Sequence, residues 1–179
     1  MEPKLIKGIK SFCDERGVFY ESYKESRYRD VFEINEKFVQ DNHSISTKNT
    51  IRGLHYQWNK PMGKLVRVCY GSILDVAVDI RFGSKTYGKI HYFNLDDENL
   101  DQVYIPPGFA HGFICLSDKA HVLYKCTSEY NKDGESGINP LDLTLGIDWG
   151  ISEQEAIISE KDANAQSLEK YNREPKFIL

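Results

Sequence analysis

The sequence predicts an all-β fold, a sandwich or closed barrel of the jelly-roll type, built as one domain over residues 1–179. Three observations predict it. The middle of the chain consists of short segments rich in β-branched and aromatic residues, turn signals separate them at close intervals, and helical periodicity is scarce.

The strands fall, in order, at 18–23, 37–46, 51–57, 64–70, 73–80, 89–94, 102–105, 112–116 and 121–127. The clearest is 73–80, where Leu74, Val76, Val78 and Ile80 share one face and Asp75, Ala77 and Asp79 the other. Turns are expected at Tyr70-Gly71-Ser72, Phe82-Gly83-Ser84 and Pro106-Pro107-Gly108. Helix is expected only peripherally, at 26–32 and in a short C-terminal element at about 163–171, behind a capping signal at Ser159-Glu160-Lys161-Asp162.

Composition narrows the function classes. A 40% hydrophobic, 28% charged chain is ordinary for a globular protein. A net charge of −4 argues against a nucleic-acid face, though a few local Arg and Lys suffice for one diphosphate. No apolar run approaches membrane-spanning length, and the first residues lack the apolar stretch of a secretory signal. Cys69, Cys115 and Cys126 sit in apolar stretches and Cys13 stands apart, with no CxxC pair. The first three read as buried free thiols in a reducing, cytoplasmic setting.

Several polar residues interrupt strand-like sequence, where burial is tolerated only with partners or a function. In Ile51-Arg52-Gly53-Leu54-His55-Tyr56-Gln57, His55 and Gln57 share a face, while Arg52 falls on the opposite one unless a bulge at Gly53 breaks the alternation. From this segment alone a satisfied core histidine is the commoner outcome. Lys64 is in register with Val66 and Val68, placing an ammonium either at the mouth of an apolar interior or snorkelling to water. Tyr130 ends a strand as a general acid or a rim aromatic, and Asp162 is either a helix-end carboxylate or the partner of an imidazole.

Pro106-x-Gly108-x-x-His111 resembles the second motif of the cupins. Where metal-binding cupins carry His-x-His and a Glu, this chain has His55-Tyr56-Gln57 followed by Lys60 and Lys64. Gln is a poor transition-metal ligand and ammonium groups oppose a divalent cation, so no metal is expected.

Taken together, the motifs resemble the RmlC family, the dTDP-4-dehydrorhamnose 3,5-epimerases and their relatives. The resemblance runs nearly end to end. It passes through Asp14–Glu21, Gln40-Asp41-Asn42, Arg52–Gln57, Gly63–Val68, Asp75–Arg81, Pro107–Phe113, Tyr130-Asn131, Ile147–Trp149 and Ser159–Asp162. It implies a cupin-type jelly roll and a homodimer whose N-terminal strand is exchanged. It also implies His55 as general base oriented by Asp162, Lys64 stabilising an enolate, and Tyr130 as acid. Arg52, with Arg16 from the second subunit, would bind the pyrophosphate, and Phe19 and Glu21 the nucleotide. Gln40, Asn42, His111 and Lys161 match further pocket positions. The implied substrate is a nucleotide-diphosphate sugar.

The chemistry suits these residue types. A carbon beside a ketone is only weakly acidic, so deprotonation needs the enolate charge held by a fixed donor, worth ~3–4 kcal/mol. Inversion then needs proton donation on the opposite face, which an imidazole and a phenol supply as a pair. The substrate's own ketone makes a cofactor unnecessary, and there is no GxGxxG motif. Inversion at both C3 and C5 is expected ahead of C3-only or C5-only action. A metal-dependent cupin enzyme and a non-catalytic sugar-nucleotide binding protein are the rivals from other classes.

Overall fold

Alternating inward and outward residues close the strands into two facing antiparallel sheets in the computed structural model, which describes residues 1–179. In chain order the elements are β1 (Lys4–Ile6), β2 (Ser11–Asp14), β3 (Gly17–Tyr20), α1 (Glu25–Asp30), β4 (Gln40–Thr47), β5 (Ile51–Gln57), β6 (Lys64–Tyr70) and β7 (Ser72–Asp79). Then come β8 (Arg81–Phe82), β9 (Ile90–Asp96), β10 (Gln102–Ile105), β11 (Phe109–Cys115), β12 (Lys119–Cys126), β13 (Glu135–Gly137), α2 (Glu160–Ala163), α3 (Leu168–Arg173) and β14 (Phe177–Ile178). One sheet has the order β1-β10-β6-β12-β4 and the other β13-β5-β11-β7-β9, the arrangement of a jelly roll.

The lumen between the sheets is filled from both sides. Val66 and Val68 of β6, Val103 of β10 and Val122 of β12 meet Ala77 of β7 and Phe109 and Phe113 of β11. A second core lies on the outer face of the β7 sheet, where Val76, Val78 and Leu54 pack under Trp149, Ile138 and Tyr171 of the C-terminal segment. β7 is therefore buried on both faces. Its valine face turns outward to this C-terminal layer, and its aspartate face turns into the lumen. A third core, around Tyr28, Ile34 and Tyr104, covers part of the other sheet. No helix is long and apolar enough to cross a membrane.

Each of the nine expected strands is present; two expectations need correction, and five short strands add to the nine. The C-terminal helix expected at about 163–171 is two helices, α2 and α3. The chain leaves α2 so that Gln166 can bridge to Ile138 and donate to the Tyr56 hydroxyl, and Ser167 then caps α3 by accepting from Lys170 N. Cys69 is exposed rather than buried: it shares the outward face of β6 with Arg67, whereas Cys115 and Cys126 are buried. Finally, β1, β2, β8, β13 and β14 were not expected; each has two to four residues, too few to show a period.

β2 and β3 form a hairpin outside both sheets. It exposes Phe12, Val18 and Phe19, the last at 70%.

Candidate active site

The site begins with an irregularity in β5. His111 of β11 pairs with His55, but Phe113 pairs with Arg52, so β5 spends one more residue than its partner between those points. The bulge falls at Gly53, where the sequence allows one, and places both Arg52 and His55 on the cavity side. Only glycine fits: φ is +124°, and a Cβ there would stand 2.6 Å from Gly112 Cα and 2.7 Å from the His111 carbonyl. Beyond the bulge, Leu54 and Tyr56 face the outer core, and His55 and Gln57 face inward.

Two adjoining chambers of about 80 and 130 Å³ lie here, and His55, Lys64 and Tyr124 line both. Gln40, Asn42, Gln57, Tyr130 and Glu135 also line the first, and Arg52, His111 and Ser44 border the second. A cleft of about 400 Å³ continues outward past Arg52, Lys161 and Asp162. A further cavity of about 280 Å³, under Ser22 and Tyr23, touches the site only through Asn42 and Tyr124.

His55 and Asp162 form a dyad, with Nε2 2.7 Å from Oδ1. The other carboxylate oxygen accepts from Gly53 N at 3.2 Å, and Asp162 N donates to the Ser159 hydroxyl, the expected cap. Burial alone would raise the Asp162 pKa, but its bonds with His55 and Gly53 hold it below the usual carboxylate range. Facing an ionised carboxylate, the neutral ring carries its proton on Nε2 and leaves the Nδ1 lone pair free.

A second chain of bonds supports Lys64. Its Nζ lies 3.5 Å from His111 Nδ1, and His111 Nε2 lies 2.7 Å from Asp75 Oδ2. Burial pushes the Lys64 pKa down, making its ammonium a readier donor to a developing oxyanion. Burial, reinforced by Lys64, outweighs Asp75 and also pushes His111 down, so its ring stays neutral and accepts from Lys64. Asp75 itself was not expected in the site. A carboxylate inside a strand buried on both faces demands a partner, but the alternation of β7 reads in sequence as half-buried and hides that need.

At the rim, Tyr130 is 56% exposed and donates its hydroxyl to Glu135 Oε2 at 3.0 Å. Lys161 donates to the same oxygen at 2.7 Å. The hydrogen bond to Glu135 raises the Tyr130 pKa. Burial would raise Glu135, but Lys161 and Tyr130 lower it on balance. Gln40 donates to Asn42 at 3.0 Å, and Asn42 to the Cys126 thiol at 3.4 Å. Arg52 donates to Ser46 Oγ and the Ile45 carbonyl.

Tyr124 and Glu135 are site-lining residues that sequence reasoning missed. Tyr124 shares its face of β12 with the buried Val122 and Cys126, so its phenol was hidden among residues that read as the core side of a half-buried strand.

These residues do not suit a divalent cation. The Nε2 atoms of His55 and His111 are each engaged by a carboxylate, and the Gln57 amide is spent on backbone groups. The Lys64 ammonium occupies the space beside His111.

Arg16, Phe19 and Glu21 do not join the others within the chain. They lie on or just beyond the projecting β2–β3 hairpin, where Arg16 pairs with Asp14.

The model of the family described as dTDP-4-dehydrorhamnose 3,5-epimerase matches residues 3–170. The chain belongs to that family. Within it, the chain is 48% identical over 158 residues to the dTDP-4-dehydrorhamnose 3,5-epimerase of Methanothermobacter thermautotrophicus, covering 88% of this chain and 85% of that one. Among solved structures it is similar to the 3,5-epimerase RmlC of Legionella pneumophila in complex with dTDP-4-keto-L-rhamnose. That match has a TM-score of 0.87, 45% identity and 94% coverage of each chain. It is also similar to ChmJ of Streptomyces bikiniensis, a 3'-monoepimerase in complex with dTDP-quinovose. There the TM-score is 0.89 and the identity 30%, over 98% of this chain and 88% of that one. The cupin-like jelly roll is thus the family's fold, and the dyad of this epimerase-family chain stands inside its barrel.

Proposed function

We propose that this chain inverts C3 and C5 of dTDP-4-keto-6-deoxy-D-glucose, giving dTDP-4-keto-L-rhamnose, by acid–base catalysis through enolates. The observation that carries the reading is the convergence of the His55–Asp162 dyad, Lys64 and Tyr124 on the same two chambers.

His55 Nδ1 removes the proton beside the ketone, and Asp162 stabilises the imidazolium that results. The negative charge moves to the ketone oxygen, where Lys64 meets it, fixed from behind by His111 and Asp75. A phenol then protonates the opposite face of the carbon. Tyr130 is the donor that the family resemblance implies. The geometry favours Tyr124, which lines both chambers beside Lys64, whereas the Tyr130 hydroxyl is committed to Glu135. One C–H bond breaks and one forms at each centre, so the reaction is redox-neutral and needs no cofactor.

The diphosphate lies along the cleft past Arg52, and the nucleotide meets Arg16, Phe19 and Glu21 from a second copy of the chain. The exposed aromatic hairpin supports this homodimer. Gln40, Asn42, His111 and Lys161 complete the sugar pocket. The free thiols and the small-molecule substrate suit a cytoplasmic enzyme with no nucleic-acid or membrane partner.

Similarity to double epimerases at 45–48% identity, against 30% to the monoepimerase, supports action at both centres. Incubation with the substrate in D2O tests it: deuterium is expected at C3 and at C5 with inversion at each, and label at only one centre would refute the double reaction. The same assay assigns the phenol. Tyr124→Phe is expected to lose roughly 10²-fold or more in rate, and Tyr130→Phe less.

A further inference from the structure

We propose that Gln57 is a positioning residue: it holds the Tyr130 segment over the mouth of the chamber and so retains the sugar between the two inversions. This rests on the epimerase reading above.

Gln57 ends β5, two residues beyond His55 on the same inward face, and is only 5% exposed. A buried amide must place its donors and acceptor. Here Oε1 accepts from Asn131 N at 2.8 Å, while Nε2 donates to the Glu129 carbonyl at 3.1 Å and the Lys60 carbonyl at 2.7 Å. Two of the three bonds therefore grip the backbone on either side of Tyr130. The peptide N–H of Tyr130 is held too, by Gln40 Oε1 at 2.8 Å.

Nothing comparable holds the Tyr130 ring. It is more than half exposed, and its one hydrogen bond goes to Glu135 on the facing rim. Its place over the chamber is set by its backbone, which Gln57 grips on either side and Gln40 holds at Tyr130 itself. The seam continues outward through Gly63 N donating to Thr127 Oγ1 and Ser128 donating to the Pro61 carbonyl. At its inner end the one buried side chain is Gln57, rooted in the strand that carries His55.

Double inversion makes this placement matter. When the first enolate collapses, a singly inverted ketone sits in the site, and it must stay and present its second carbon before it escapes. Gln57 and Tyr130 border the same chamber of about 80 Å³, so slack in this segment widens the exit. Release then competes with the second step.

The test uses the full-length chain with dTDP-4-keto-6-deoxyglucose in D2O, following deuterium at C3 and C5 by NMR at early times. Gln57→Met keeps the length and removes all three bonds. Gln57→Glu keeps the acceptor for Asn131 N–H and loses both donors, and serves where the Met variant does not fold. In the folded variants the fraction of released product labelled at a single centre is expected to rise about fivefold or more, while dTDP affinity by calorimetry stays within about threefold. A wild-type label distribution in a folded variant would overturn the positioning role. So would a loss of dTDP binding parallel to the loss of rate, which would make Gln57 a nucleotide-site residue. Absence of label at both centres with the unmodified chain would instead sink the epimerase reading itself.

Discussion

At the scale of single residues the site is a set of supported side chains, and the support explains what each can do. His55 is useful because Asp162 takes one ring nitrogen at 2.7 Å and Gly53 N and Ser159 fix that carboxylate in turn. Asp162→Asn offers an amide that can turn its N–H toward Nε2, favouring the tautomer with the proton on Nδ1, the nitrogen that must be bare. We expect kcat to fall by about 10²–10⁴-fold with dTDP affinity retained. An unchanged rate would leave Asp162 as a helix-end carboxylate only. His55, Lys64, Asp162 and the pocket positions were legible in the sequence as a pattern of motifs. Asp75, Tyr124 and Glu135 were not, because their neighbours are set by the pairings of β7 with β11, β12 with β4 and β6, and β13 with β5, which no local spacing reveals.

At the scale of elements the bulge in β5 is the device that makes the site. Without the extra residue at Gly53, strand alternation sends Arg52 and His55 to opposite faces, separating the guanidinium from the imidazole. Gly53→Ala would force a Cβ against Gly112 and the His111 carbonyl at a φ of +124°. We expect about 3 kcal/mol of destabilisation by chemical denaturation, and a loss of activity in whatever remains folded. A stable, fully active alanine variant would show that the bulge is dispensable. The long strands were readable from sequence because alternation over seven or eight residues leaves one register, as in β6 and β7. The split between α2 and α3 was not, since it depends on a bridge from Gln166 to Ile138, distant in sequence.

At the scale of the whole molecule the barrel gathers His55, Lys64 and Tyr124, while Arg16, Phe19 and Glu21 lie on or just beyond a projecting hairpin with exposed aromatics. A dimer that exchanges this hairpin makes each site composite. Mixing inactive His55→Asn with inactive Arg16→Ala protein under subunit exchange should then restore activity, because one of the two sites in each mixed dimer has both residues intact. Restoration toward half the wild-type rate per mixed dimer is expected, and no restoration would place Arg16 in its own subunit's site or outside any site. In the proposed reaction one imidazole breaks the C–H bonds. The direct measurement is the rate of solvent deuterium exchange at C3 and C5 in His55→Asn protein, with dTDP affinity measured alongside. Exchange at both carbons should fall roughly 10³-fold or more while dTDP still binds as in the unmodified chain; exchange at an undiminished rate would contradict the account.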